Sequence, residues 1–262
     1  MRPAPVFALI AVGSGTANRY HPPQPVVVFA AASLAEPFRE LADSLRRGAA
    51  PLEITFNFAG SQTLALQLQE GAAADVFASA DQRWMRTVAR EGLVIGTPGL
   101  FARNRLAVIV PAANPGHVAS LRDLARRGVK LDLAADAVPA GHYSRQALAR
   151  LAGRAGLPAD YASAVMANIV SNEENVEAVA AKVSLGEADA GIVYRSDAIR
   201  LGTRVRVIDI PGSANVVAEY PVAMLRDAAH AAAGQVFIEA LMSPMGQRIL
   251  AAHGFDQVID LQ

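Results

Sequence analysis

Apolar positions along the chain fall into two alternating patterns, short continuous runs and longer stretches with a helical repeat. Val26 to Phe29 is a β-branched and aromatic run that predicts a buried strand. Three alanines follow, and Leu34, Phe38, Leu41 and Leu45 then recur at helical spacing. Ser33 and Glu36 fit the Ser-x-x-Glu capping box, so a helix is expected to open at Ser33. Leu52 to Phe58 alternates apolar and polar residues as a strand does, ends at Ala59-Gly60-Ser61, and leads into a helix marked by Leu64, Leu68 and the Gly71 stop. Asp75 to Ala78 reads as a third strand, after which Asp81 caps a helix through about Arg90.

Leu106 to Val110, closed by Pro111, predicts a strand that leaves this first unit. In the next unit Ser120 and Asp123 open a helix, and Lys130 to Leu133 is a strand. Val138-Pro139-Ala140-Gly141 is a turn before a helix from about Ser144 to Leu151. Ile169-Val170 is a strand, Ser171 to Asn175 is polar, and Val176, Val179 and Val183 mark a helix ended by Gly186. Asp189 to Tyr194 is a strand that delivers Tyr194 at its carboxyl end, and Val205 to Ile208 is another. Ala218 to Leu225 reads as a strand crossing back, followed by helices around Val236 to Leu241 and Met245 to Ala251.

This βα rhythm predicts an α/β fold built on mostly parallel sheets flanked by helices. Its two serine turns carry the first functional signal. Ser33 alone is well explained as an N-cap. Ser33 and Ser61 on consecutive βα turns of one parallel sheet, however, would lie side by side at its carboxyl edge, where open α/β sheets bind ligands and where free helix N–H groups and dipoles favour an anion.

Composition narrows the classes. The chain has 262 residues, long enough for one large or two modest domains, and equal numbers of basic and acidic residues, 24 each. No basic stripe of the kind that marks a nucleic-acid binder appears. There is no cysteine, which excludes thiol nucleophiles, thiolate metal sites, disulfides and a lipid anchor on cysteine. No apolar run reaches the roughly 18 residues that would span a membrane. Arg2, the apolar stretch Val6 to Val12 and the small residues Gly13 to Ala17 follow the order of a secretory signal, so residues 1–25 are expected to be a signal peptide and an exposed, Pro-rich leader.

Five motifs taken together carry a resemblance: FAAASL at Phe29 to Leu34, FAGSQTLALQ at Phe58 to Gln67, ADVFASAD at Ala74 to Asp81, VPAG at Val138 to Gly141 and GIVYRSDA at Gly191 to Ala198. In this order and spacing they resemble the molybdate-binding proteins that serve bacterial ABC importers, soluble receptors of the type 2 periplasmic-binding-protein fold, over about Val26 to Phe255. The resemblance implies two lobes, residues 26–105 plus 219–262 and residues 106–218, with the ligand cleft between them. It implies a periplasmic monomer without cofactor or catalytic activity, whose partners are molybdate, tungstate and an inner-membrane permease. Carried over by motif, the ligand-binding residues are Ser33 and Ser61 through hydroxyl and backbone N–H, Ala140 and Val176 through backbone N–H, and Tyr194 through its hydroxyl. Gly60 and Gln62 flank Ser61 where relatives have a serine run. His142 follows the VPAG turn, and Glu173 and Glu174 precede Val176, each close enough in sequence to approach the site.

A tetrahedral dianion in a closed cleft must have every oxygen met by a donor. Neutral donors at helix starts meet that need without Arg or Lys. The rival readings are a receptor for sulfate, phosphate or a small organic acid, and a serine hydrolase using Ser33 or Ser61. The hydrolase lacks a G-x-S-x-G elbow or an evident base.

Overall fold

The β-branched run after residue 23 pairs on both sides and sets the frame. The computed structural model describes residues 24–258 except 49, 50 and 155. The expected signal peptide therefore lies outside the described residues. β1 (Gln24–Ala31) lies parallel to β2 (Leu52–Ala59) on one side and to β3 (Val76–Ala78) on the other. A second trio repeats the arrangement, with β5 (Leu131–Ala134) parallel to β6 (Ile169–Glu173) and to β7 (Ala190–Tyr194). The core strands are buried on both faces, as strands of a parallel sheet covered by helices must be.

Two long strands join the trios. β4 (Val94–Pro111) runs antiparallel to β9 (Val217–Leu225) as far as the pair Arg105 and Val217, and then antiparallel to β7 from the pair Leu106 and Tyr194. β9 in turn pairs with β3, and β8 (Val205–Asp209) flanks β4. The strand order is thus β2-β1-β3-β9-β4-β7-β5-β6, a mixed α/β sheet whose middle is made of the two connecting strands.

Helices follow the strands as the periodicity predicts, with informative differences. α1 (Ala35–Arg46), α2 (Ser61–Gln69) and α3 (Gln82–Arg90) succeed β1, β2 and β3. α4 (Pro139–Leu151) begins five residues before the expected start at Ser144, because Pro139 takes the first helical position, where its fixed φ suits the helix and its missing N–H costs nothing. A methyl group on Gly141 would come within 2.1 Å of the Ala135 carbonyl oxygen, so glycine lets this turn of α4 sit directly on the end of β5. α6 (Val176–Leu185), α8 (Ala231–Met242) and α9 (Pro244–Ala252) fall where expected, and α5 (Tyr161–Met166) and α7 (Arg195–Leu201) are short helices that the periodicity did not mark. Ser120 and Asp123 open a 3₁₀ turn, Leu121–Ala125, where a helix was expected. β4 starts twelve residues earlier than the apolar run at Leu106, since Gly96, Pro98 and Gly99 break the pattern and register shifts absorb them.

The capping box at Ser33 is a correction. A 3₁₀ turn, Ala32–Leu34, begins before it, the Ser33 hydroxyl is taken by Tyr220, and Glu36 pairs instead with Arg39 at 2.8 Å. Beneath α1, Phe38 is fully buried against Phe56, Phe101 and Phe237, its ring 5.3 to 6.1 Å from theirs. Truncating Phe38 to alanine would cost on the order of 3–5 kcal/mol. This core fixes the carboxyl ends of β1 and β2 and with them the start of both serine turns.

Candidate functional site

Four helix starts converge on one cavity. The 3₁₀ turn after β1 brings Ser33, α2 after β2 brings Ser61, α4 after β5 brings Ala140, and α6 after β6 brings Val176. Tyr194 arrives at the end of β7. All five residues expected from the motifs line the same cavity, although they come from parts of the chain up to 161 residues apart, from Ser33 to Tyr194. Two of the helices follow the first strand trio and two follow the second, each at the carboxyl end of a parallel strand, where binding is expected.

The backbone donors are free by position. Ser61 and Val176 are the first residues of α2 and α6, and Ala140 is the second of α4, so none has an intrahelical carbonyl to bond. Capping is arranged around them: the Asn175 side chain accepts from Ala178 N–H at 3.0 Å, which satisfies a later donor, and Val176 itself lines the cavity. With several helix dipoles aimed at one spot, the cavity carries partial positive charge although no ionisable side chain except the Tyr194 phenol lines it.

The hydroxyls are held from behind. Ser61 Oγ accepts a hydrogen bond from Ala80 N–H at 3.0 Å, so the serine keeps its own hydrogen to donate. Ser33 Oγ lies 3.0 Å from Tyr220 OH. The Tyr194 hydroxyl is buried and has no partner among the described residues. A buried unpaired hydroxyl is costly, and at the wall of a cavity the natural partner is a ligand. Burial, and after it the neighbouring Tyr220, pushes the Tyr194 phenol well above its ordinary value, so it is a neutral donor at physiological pH.

The residues flanking the motifs take other roles. Gln62 is buried and donates across the cleft from α2 to the Glu174 carbonyl at 2.7 Å. Glu173 is turned to Lys182, 2.6 Å away, and to Ser171. His142 stands beside Asp136, its Nδ1 3.2 Å from the carboxylate, and is not part of the lining. Tyr220 and Ala80, which stand behind the two serines, were not found by sequence reasoning. Ala80 lies inside the ADVFASAD motif, but nothing in the local pattern around Tyr220 marks it, since its partner is 187 residues away.

Residues 26–256 match the model of a family described as bacterial extracellular solute-binding protein. The molybdate-binding protein ModA of Mycobacterium tuberculosis is 36% identical over 255 residues, covering 95% of this chain and 93% of its own length. Among solved structures, the periplasmic molybdate-binding protein of Azotobacter vinelandii superposes with a TM-score of 0.77 at 20% identity, covering 89% of this chain and 100% of its own. The sulfate-binding protein SubI of M. tuberculosis superposes with a TM-score of 0.80 at 16% identity, covering 90% and 88%. At such identities the two structures speak to the fold alone, and the fold is common to receptors for different oxyanions.

Proposed function

This chain belongs to the bacterial extracellular solute-binding protein family, and we propose on that premise that it is the molybdate-binding component of an ABC importer. The observation that carries the reading is the make-up of the cavity: free N–H groups at helix starts and neutral hydroxyls, with no cationic or carboxylate side chain among the lining residues. Such a wall meets a tetrahedral dianion from several sides and strips its water without leaving an oxygen unmet. The extensive identity to a molybdate-binding relative favours molybdate over sulfate, where the fold alone does not choose.

Ser33, Ser61, Ala140, Val176 and Tyr194 are then the ligand-holding residues. Selection among oxyanions follows from two features of the wall. Backbone donors fixed at helix starts set the cage size, so the larger molybdate and tungstate make full hydrogen bonds and sulfate makes longer, weaker ones. The lining also offers no carboxylate, and the Ser61 oxygen is already engaged. Hydrogen phosphate, which carries an O–H needing an acceptor, is disfavoured.

The two strand trios act as two lobes. Residues 26–105 with 219–262 form one and residues 106–218 the other, a division supported by the change of β4 partner from β9 to β7 between Arg105 and Leu106. Ligand binding to both sides favours a closed form, which the permease recognises. The protein acts outside the cytoplasm as a monomer without a lipid anchor. An enzymatic role finds no support in the wall: the Ser33 hydroxyl meets Tyr220, Ser61 meets a backbone N–H, and no imidazole among the described residues bonds to either.

Native mass spectrometry of the gently purified protein tests the assignment, followed by calorimetric titration with molybdate, tungstate, sulfate and phosphate. Tight binding of molybdate and tungstate with weak sulfate is expected. Equal affinity for sulfate would refute selection by size.

A further inference from the structure

We propose that Tyr220 is the positioning residue for the Ser33 hydroxyl: its phenol O–H donates to Ser33 Oγ, turns the serine hydrogen into the cavity and makes that position a donor only. The inference rests on the molybdate reading above and adds a residue outside the cavity wall that controls which oxyanions the site accepts.

Two hydroxyls 3.0 Å apart share one hydrogen, and either can supply it. The surroundings decide the direction. Tyr220 is fully buried, and three aromatic rings pack around its own: Phe255 at 5.3 Å, Tyr194 at 5.8 Å and Phe101 at 6.2 Å between centroids. The nearby amide Nδ2 of Asn104 is a donor and is engaged with Ser196 Oγ at 2.9 Å. A phenol hydrogen turned away from Ser33 has the buried Tyr194 hydroxyl as an alternative acceptor, but donating there leaves Ser33 Oγ with no donor behind it and free to accept, which a fully deprotonated oxyanion does not match. If Ser33 donated to Tyr220, the anion would lose the Ser33 donor. With Tyr220 donating to Ser33 and Ser33 to the ligand, every hydrogen has an acceptor, and each bond polarises the next. Burial keeps the phenol protonated, so the hydrogen is present at any pH at which the protein works.

The other serine shows the same arrangement made differently. Ser61 Oγ accepts from Ala80 N–H at 3.0 Å, and a backbone N–H is unable to reverse. Each serine thus has a donor behind it, and at Ser33 the donor is a side chain. Tyr220 stands on β9 opposite Ala102 of β4, and its ring lies edge-on to Tyr194, so it touches a ligand residue of each lobe. A Ser33 hydroxyl freed from Tyr220 would rotate and accept, which weakens a fully deprotonated oxyanion and relieves the penalty on one that carries a hydrogen.

The test is a double-mutant cycle with Tyr220→Phe and Ser33→Ala, read by titration with molybdate and with inorganic phosphate. Tyr220→Phe is expected to weaken molybdate about tenfold in the parent background and less than twofold in Ser33→Ala. It is also expected to lower the ratio of molybdate to phosphate affinity. Equal losses in both backgrounds, or a parallel loss for both ions, would overturn the inference and assign Tyr220 to packing. If Tyr220→Phe does not fold, fluorotyrosine at the same position decides, because a more acidic phenol is a stronger donor: tighter molybdate binding supports the proposal and unchanged or weaker binding overturns it. A parent protein that binds no molybdate removes the functional reading itself, whereas parent binding with an unimpaired Tyr220→Phe removes this inference alone.

Discussion

Gly60 and Glu174 meet across the cavity so closely that a methyl group on Gly60 would stand 2.6 Å from the Glu174 carbonyl oxygen. Gly60 has φ −60°, an ordinary value, so glycine is needed here for space, against the Gln62 side chain as well as the Glu174 carbonyl, and not for a turn. Gly60→Ala is expected to hold the lobes apart. A clash of this kind costs about 1–3 kcal/mol, so molybdate affinity should fall roughly tenfold while the melting midpoint of the unliganded chain moves little. Titration and scanning calorimetry of the same preparation measure both, and an unchanged affinity would rule out the contact as part of the bound state.

Trp84 is the single tryptophan of the chain, and it bridges the same gap. Its indole N–H donates to the Ala137 carbonyl at 2.8 Å, and Arg83 donates to the same oxygen at 2.7 Å, both from α3 to the turn that precedes α4. Molybdate should therefore shift the tryptophan emission as the lobes close. Trp84→Phe should abolish that signal and weaken binding several-fold, in line with about 0.5–1.5 kcal/mol for one hydrogen bond. Emission that ignores saturating molybdate would show that the latch is indifferent to the ligand.

Asp132 gives a prediction about stability and pH. It is fully buried on β5, both carboxylate oxygens lack a partner among the described residues, and burial first, then the negative Glu173, pushes its pKa up to about 7. The unfolded chain releases this proton near pH 4. The native state therefore holds a proton that the unfolded state has lost between about pH 4 and 7, so its contribution to stability is complete below pH 4 and is lost as pH rises through 7. Asp132→Asn should melt a few degrees above the parent at pH 8, at about 2–4 °C per kcal/mol, and together with it near pH 4. A gap of the same size at both pH values would contradict the buried-charge account.

Much of the site was legible in the sequence because each of its parts is a local signal. Serine after a strand and a polar turn before Val176 each mark a helix start, and a helix start is where free N–H groups are, whereas Pro139 read as part of a turn and its helix was expected five residues later. The five lining residues themselves were named by the resemblance, motif by motif, and the local signals mark the turns on which they sit. What the chain order hid is what depends on partners far away. Tyr220 behind Ser33, the Gln62 bridge to Glu174 and the shared indole and guanidinium bonds to Ala137 join segments 53 to 187 residues apart. β4 hid its first half for the opposite reason, since Gly96, Pro98 and Gly99 erase the alternation that marks a strand, and only pairing with β9 holds it. The Ser33 capping box was a false local signal, defeated when a distant tyrosine claimed the hydroxyl.

The most direct test of the account is a crystal structure of the protein grown with molybdate, with the metal located by its anomalous scattering. The account predicts one ion in the cavity, its oxygens within about 2.7–3.2 Å of the N–H groups of Ser33, Ser61, Ala140 and Val176 and of the hydroxyls of Ser33, Ser61 and Tyr194, with no charged side chain touching it. An ion at another place, or one held by Arg83 or His142, would contradict it.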